Sequence, residues 1–250
     1  MAEIKAVLFD FIGTLASVKN YSLEASTLKL YKAIVEVGFS VNEEDFLSAY
    51  SGAHEKYRLI RYEELVEVTN SVWISDALNC LGFKTSPEDA RVKTAVNVFF
   101  EDYLSSLELN PCARQMLVRL SKQYKLGLIS NFTYAPLIYA ALRRLNVNKF
   151  FSAVLVSEDV GWRKPNRKIF QEALRRLGVK AEETVYVGDS PAEDIGGGAA
   201  AGMRTIFVPS QFYTFENLHE SHTKPDFIVK DVCGLHSVFP EFAGEIWPKE

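Results

Sequence analysis

Four short apolar runs each stop at a residue able to do chemistry: IKAVLFD at Asp10, KLGLIS at Ser130, SAVLVS at Ser157 and TVYVGDS around Asp189. They are nearly continuous in Val, Ile, Leu, Phe and Tyr, as strands are when helices cover both faces, whereas half-exposed strands alternate with polar residues. Two further runs, RTIFV and DFIV, follow. The pattern predicts an α/β fold with a doubly wound parallel sheet, in which ligands bind at the carboxyl ends of the strands near the point where strand order reverses.

Helices are expected between the runs. The segments ALRRLNV (141–147) and ALRRLGV (173–179) form a near repeat spaced by 32 residues. Ile138, Ala141, Leu142 and Leu145, and again Phe170, Ala173, Leu174 and Leu177, fall at i, i+3, i+4 and i+7, so each copy reads as an amphipathic helix. Asn146 and Gly178 supply left-handed C-caps, and the arginine pairs 143/144 and 175/176 read as solvated helix faces. From about residue 22 to 108 the apolar spacing is helical throughout, without strands. Helices are expected to end at Gly38 and Gly82, another to open at Ser86-Pro87-Glu88-Asp89, and one beyond Asn110-Pro111. The expected organisation is a core of residues 1–16 and 110–250 with a four-helix cap of residues 17–109 inserted after the first strand.

Composition removes several classes of function. Lys and Arg number 28 against 32 Asp and Glu, a net charge of −4 that offers no basic field to nucleic acid or an anionic membrane. No apolar run reaches the roughly 18 residues of a membrane span, and MAEIKAVLFD lacks the pattern of a signal peptide. Cys80, Cys112 and Cys233 are an odd, widely spaced set without zinc or redox spacing, as expected in a reducing cytoplasm. The four histidines form no helical metal pair and read as surface or loop residues.

The polar clusters at the strand ends are Asp10 to Thr14 in LFDFIGTL, Ser130-Asn131 in LISNF, Lys164 in GWRKPNRKIF, and Asp189 with Asp194 in VGDSPAEDIGGG. Their order and wording, with a helical cap between the first and second, resemble the haloacid dehalogenase superfamily over nearly the whole chain. The resemblance implies a Rossmann-like core in which Asp10 is the nucleophile, Thr14 belongs to its catalytic loop, Ser130 and Asn131 seat the anionic group, Lys164 pairs with the nucleophile and the transferring group, and Asp194 orients the lysine or a metal-bound water. Chemically, a carboxylate can attack phosphorus or carbon and form a covalent intermediate that water releases. Gly13 permits a tight turn, the Thr14 hydroxyl can bond back to its loop, and Ser130-Asn131 are expected where a helix begins. Asp10, the Ile12 carbonyl and Asp189 are hard oxygen donors that suit Mg²⁺. Gly196, Gly197 and Gly198 read as close helix packing, because a P-loop would end in Lys-Ser/Thr.

One position departs from the phosphatases of that superfamily, which carry a second aspartate two residues after the nucleophile. Here it is Ile12, which cannot protonate a leaving group, a loss that costs typically 10²–10⁴ in rate. The superfamily's 2-haloacid dehalogenases also lack that acid, since halide leaves without a proton, and they resemble this chain in the Ser130-Asn131 pair and in a cap arginine, for which Arg58 or Arg61 is the candidate. Asp189 argues the other way: its charge would repel a haloacid carboxylate, and the GDS wording favours magnesium and phosphate. The reading is therefore Mg²⁺-dependent phosphoester hydrolysis or phosphoryl transfer on a small anionic substrate. Haloacid dehalogenation is the first alternative and a weakly catalytic binding protein the second. A phosphonate hydrolase would need a Schiff-base lysine, and Lys56 stands in no supporting context.

Overall fold

The computed structural model describes residues 2–239. Strand β1 (Ala6–Phe9) runs into a tight loop and the short β2 (Ala16–Val18). Four helices follow, α1 (Leu23–Glu36), α2 (Glu43–Glu64), α3 (Asn70–Cys80) and α4 (Ala90–Ser106), before β3 (Leu107–Leu109) returns antiparallel to β2. The helical segment thus leaves and rejoins the rest through a two-stranded stem. Strands of three residues are too short to display a period, and the stem is absent from the sequence reading.

The remaining chain runs α5 (Ala113–Leu120), β4 (Lys125–Ser130), α6 (Ala135–Arg144), β5 (Phe151–Val156), α7 (Ser157–Val160), α8 (Arg167–Leu177) and β6 (Thr184–Gly188). After a π-helical turn over Pro191–Gly196 come α9 (Gly197–Ala200), β7 (Arg204–Phe207), α10 (Phe215–Glu220) and β8 (Phe227–Ile228). Six strands form one parallel sheet in the order β5-β4-β1-β6-β7-β8. From β4 the chain moves outward to β5 and then crosses to β6, on the other side of β1. Strand order therefore reverses at β1, and Phe9 pairs with Leu128 on one side and Val187 on the other.

The unbroken apolar character of β1 follows from its two covered faces. Val7 and Phe9 pack into a core with Met116 and Leu117 of α5 and Leu137 and Ile138 of α6. Ala6 and Leu8 point the opposite way, into a second core with Ile169, Phe170 and Ala173 of α8. The glycine run Gly196-Gly197-Gly198 is a packing device. A Cβ on Gly197 would come within 2.6 Å of the Phe170 ring, so α9 lies directly against α8. Asn146 and Gly178 close α6 and α8 in the left-handed region, at φ 51° and 64°.

Several local expectations are corrected. Helix α4 opens at Ala90, with Asp89 as its cap accepting from the Arg91 N–H at 2.9 Å; Ser86-Pro87-Glu88 form the preceding turn. Cys112, not Asn110, precedes α5, and the Asn110 amide instead donates to the Thr14 carbonyl at 2.8 Å, tying the β1 loop to the stem. Arg144 is not merely solvated: its guanidinium donates to the Leu104 and Leu107 carbonyls where α4 ends. The cysteines are not an unpaired set. Cys112 and Cys233, 121 residues apart, form a disulfide that fastens the start of α5 to the helical turn Val232–Ser237, leaving Cys80 free. Such a pairing is created by the tertiary fold, and spacing does not announce it. It removes the ground for expecting a reducing cytoplasm. Among the described residues no helix is long and apolar enough to cross a membrane.

Candidate active site

The register of the sheet assembles the site. One residue beyond β1, the Asp10 N–H still donates to the Val187 carbonyl at 2.9 Å, so its side chain emerges between the ends of β4 and β6, beside Ser130 and Asp189. Lys164 arrives from the loop before α8 and is 1% exposed. Its Nζ donates to Asp10 Oδ1 at 2.8 Å, Asp194 Oδ1 at 2.6 Å, the Tyr186 hydroxyl at 3.1 Å and the Ile129 carbonyl at 3.1 Å. Burial works against the ammonium charge, but attraction to Asp10 and Asp194 outweighs it and holds the Lys164 pKa well above its usual value.

The three aspartates are not equivalent. Both oxygens of Asp194 are engaged, Oδ1 by Lys164 and Oδ2 by the N–H groups of Asp189 and Ser190 at 3.1 and 2.9 Å. Asp189 Oδ2 accepts from the Ser210 hydroxyl, and Asp10 Oδ2 is buried without a partner. Oxygens of Asp10, Asp189 and Asp194 lie within 4.8 Å of one another. Burial raises the Asp10 pKa, an effect that Lys164 opposes and Asp194 reinforces. Burial likewise raises that of Asp189, with repulsion from Asp10 and Asp194 adding to it. Two desolvated carboxylates with an orphaned oxygen between them are a donor set that a hard divalent cation fits.

Gly13 makes this convergence possible. Its φ of 110° is the conformation glycine adopts freely, and a Cβ there would lie 2.2 Å from Asp189 Oδ2. The loop is closed by the Gly13 N–H on the Ala16 carbonyl at 2.7 Å, and Ile12 faces the cavity. Thr14 is fully buried and its hydroxyl has no partner, so it does not bond back to the loop. Nor does Asn131 open a helix, since α6 begins at Ala135. Its amide instead exchanges two hydrogen bonds with the Lys164 backbone, at 2.7 and 2.9 Å, and donates to Glu193 at 2.8 Å, which fixes the lysine loop.

The chain has counterparts among known proteins. The haloacid dehalogenase-like hydrolase family model matches residues 4–202. This chain belongs to that family. The hydrolase is 32% identical to the glyceraldehyde 3-phosphate phosphatase of Methanopyrus kandleri over 96% of this chain and 99% of that protein. It is 28% identical to the ribulose-1,5-bisphosphate 5-phosphatase of Halopiger xanaduensis over 82% of this chain and 85% of that one. Among solved structures it resembles a 2-haloacid dehalogenase from Pseudomonas syringae, at 27% identity and a TM-score of 0.67, covering 96% of this chain and 98% of that one.

The acid cluster of the hydrolase opens into a cavity of about 540 Å³ between the sheet edge and the inserted helices. Of the two arginines singled out from sequence, Arg58 turns to Glu55 at 2.7 Å on the exposed side of α2, away from the cavity lining. Arg61 does line the cavity, but it is bound to the buried Glu67 at 2.6 Å. Glu67 also accepts from Arg163 at 3.0 Å and from the Ser157 hydroxyl, while Arg163 reaches Glu193 at 3.4 Å. Backbone bonds from Glu67 N–H to Gly161 and from Arg163 N–H to Leu65 run alongside. The segment after α2 is thereby strapped to the loop that carries Lys164. Ser157 is marked in the sequence only as the end of an apolar run, and Arg163 and Glu67 are not singled out there; the one signal was the position of Arg163 next to Lys164. His54 also differs from expectation: it lies in the cavity wall, stacked on Tyr50 and edge-on to Trp73.

Proposed function

We propose that this hydrolase is a magnesium-dependent phosphatase of small anionic phosphate esters, with Asp10 as nucleophile. The observation that carries this reading is the pairing of Asp189 with the unpartnered Oδ2 of Asp10: a second buried carboxylate suits a cation and a phosphoryl group and opposes a free haloacid carboxylate. Asp10, Asp189 and the Ile12 carbonyl would hold Mg²⁺, which when bound neutralises phosphate charge next to the nucleophile. The names of the phosphatase relatives agree with a small phosphorylated substrate.

In this reading Asp10 attacks phosphorus, the ester P–O bond breaks with its electron pair leaving on oxygen, and an aspartyl phosphate forms. Lys164 stays charged between Asp10 and Asp194, orienting the nucleophile and balancing the charge that gathers on the phosphoryl oxygens. Ser130 lines the same wall and is assigned to phosphate binding, while the Asn131 amide, already bonded to the Lys164 backbone and Glu193, holds the lysine loop in place beside it. Water then cleaves the aspartyl phosphate and regenerates Asp10.

Ile12 favours a second reading, 2-haloacid dehalogenation, because halide leaves unprotonated, and the resemblance to the dehalogenase structure agrees with it. A panel of phosphate esters and 2-haloacids, assayed with magnesium and with chelator, separates the two. Phosphate release that needs magnesium and disappears in Asp10→Asn is expected; halide release in chelator would replace the phosphatase reading with the dehalogenase one.

A further inference from the structure

The cavity that receives Asp10 is walled largely by aromatic rings. Tyr21 and Tyr103 meet edge to face at 4.7 Å, Tyr103 lies 5.5 Å from Phe132, and Phe132 lies 5.5 Å from Phe100, giving a continuous apolar surface. The other wall is built by His54, 6.3 Å from the Tyr50 ring and 5.5 Å from that of Trp73. Such surfaces bind flat rings through stacked or edge-on contacts at these separations. A benzene ring occupies a cavity of about 150 Å³, so about 540 Å³ leaves room for a ring as well as a phosphoryl group.

Two residues of the same cavity lining carry a buried polar atom without a well-formed hydrogen bond. Asn70 is 3% exposed and its Oδ1 has no hydrogen bond; Trp73 is 2% exposed and its Nε1, although turned toward the Tyr50 hydroxyl, makes no well-formed bond. Both residues line the cavity, and their i, i+3 spacing puts them on one side of α3. Buried polar groups in folded proteins are almost always paired, and each exception calls for a partner. Here the Asn70 acceptor lacks its partner, and the Trp73 donor, one turn of helix away, has only the poorly aligned Tyr50 hydroxyl. Neither belongs to the acid cluster.

A third observation is independent of the walls. Residue 12 offers no carboxylic acid to protonate a leaving oxygen. An aliphatic alkoxide, whose conjugate acid resembles water with a pKa near about 16, leaves poorly without that proton. A phenoxide, with a conjugate acid of about 10 as in tyrosine, leaves far more readily.

Resting on the phosphatase reading above, we propose that the substrate class is aryl phosphates: monoesters whose leaving group is a flat aromatic or heteroaromatic alcohol with a hydrogen-bonding group at its far end, held by Asn70 and Trp73. In the reaction the P–O(aryl) bond breaks, the aryl oxide departs with the electron pair and takes its proton from water after release, and the phosphoryl group passes to Asp10.

The test compares 4-hydroxyphenyl phosphate, phenyl phosphate, acetyl phosphate and glyceraldehyde 3-phosphate as substrates of the intact protein with magnesium. Acetyl phosphate separates the two arguments, because its leaving group needs no proton yet has no ring. The expected result is a kcat/KM for 4-hydroxyphenyl phosphate at least about tenfold above both aliphatic compounds, carried mainly by KM against acetyl phosphate and by kcat as well against glyceraldehyde 3-phosphate. Asn70→Leu should raise KM for 4-hydroxyphenyl phosphate about tenfold while affecting phenyl phosphate little. Equal or better turnover of acetyl phosphate or glyceraldehyde 3-phosphate overturns the aryl assignment and leaves the phosphatase reading standing. If no phosphate ester is turned over, the phosphatase reading fails, and calorimetry on Asp10→Asn decides the pocket: tighter binding of 4-hydroxyphenyl phosphate than of glyceraldehyde 3-phosphate supports it, and equal affinity overturns it. The wild-type comparison needs no variant, so misfolding of Asn70→Leu cannot obscure the answer.

Discussion

Gly13 lies so close to Asp189 that a single added methyl would stand 2.2 Å from Asp189 Oδ2 and 2.7 Å from its Cγ. The loop after β1 and the acid after β6 are therefore fitted to each other. Gly13→Ala must displace Asp189 and also strain a backbone at φ 110°. Magnesium affinity measured by calorimetry is expected to fall at least about tenfold, and activity to fall with it. Full magnesium affinity in the variant would show that Asp189 is not a ligand.

Ile12 is expected to limit turnover by the leaving group. Aryl and acyl phosphates should be hydrolysed far faster than alkyl phosphates, and Ile12→Asp should raise alkyl phosphate turnover. Up to 10²–10⁴ is available from general acid catalysis, less if the new carboxyl is imperfectly placed. The slope of log kcat against leaving-group pKa, measured for both proteins, checks this; equal slopes would mean that residue 12 takes no part in proton transfer.

Asp10 and Asp189 both bind protons more readily in the folded protein than the ordinary aspartate value of 3.8 allows. By linkage, their contribution to stability is fully present below that value and is lost as pH rises through the raised folded values. The metal-free protein should therefore lose part of its stability between about pH 4 and about pH 8 from these two groups. Magnesium, which needs both deprotonated, should stabilise more at the upper end. Thermal melts with chelator and with magnesium read this directly, and Asp189→Asn should flatten the chelator profile. A metal-induced shift that is larger at low pH would contradict the assignment.

The Cys112–Cys233 bridge closes a loop of 121 residues in sequence separation. Loops of that order gain about 2–5 kcal/mol from a native disulfide. Cys112→Ser, or reduction of the wild type, is expected to lower the denaturant midpoint correspondingly, while non-reducing mass analysis shows two thiols fewer than the sequence holds. An unchanged midpoint on reduction would mean that α5 is held to the Val232–Ser237 turn by packing alone.

Much of the core was legible because it rests on local, periodic signals. The apolar runs ending at Asp10, Ser130, Ser157 and Asp189 marked β1, β4, β5 and β6, since strands buried on both faces must be apolar at every position. The repeats around Arg143 and Arg175 marked α6 and α8 in the same way. The start of α4 and the stem β2–β3 escaped, the first because Ser86 and Asp89 compete as caps and the second because three residues carry no period.

At the site, the order and wording of the motifs named Asp10, Lys164, Asp189 and Asp194; Asp10 and Asp189 directly follow strand ends, whereas Lys164 stands beyond α7 and not at a strand end. What the sequence alone determined was thus the layering of the sheet and the identity of the groups that meet at its edge. Only the tertiary structure decided how they meet: that Lys164 is shared by Asp10 and Asp194, that Gly13 gives way to Asp189, that Arg61 is spent on Glu67, and that Asn70, its Oδ1 without a partner, joins Trp73 in the lining of an aromatic cavity. The reason is physical. Burial patterns are written into each segment by its own neighbours in sequence, whereas hydrogen-bond partners, desolvation and clearances depend on atoms tens to hundreds of residues away, brought together only when the sheet and the inserted helices close on one another.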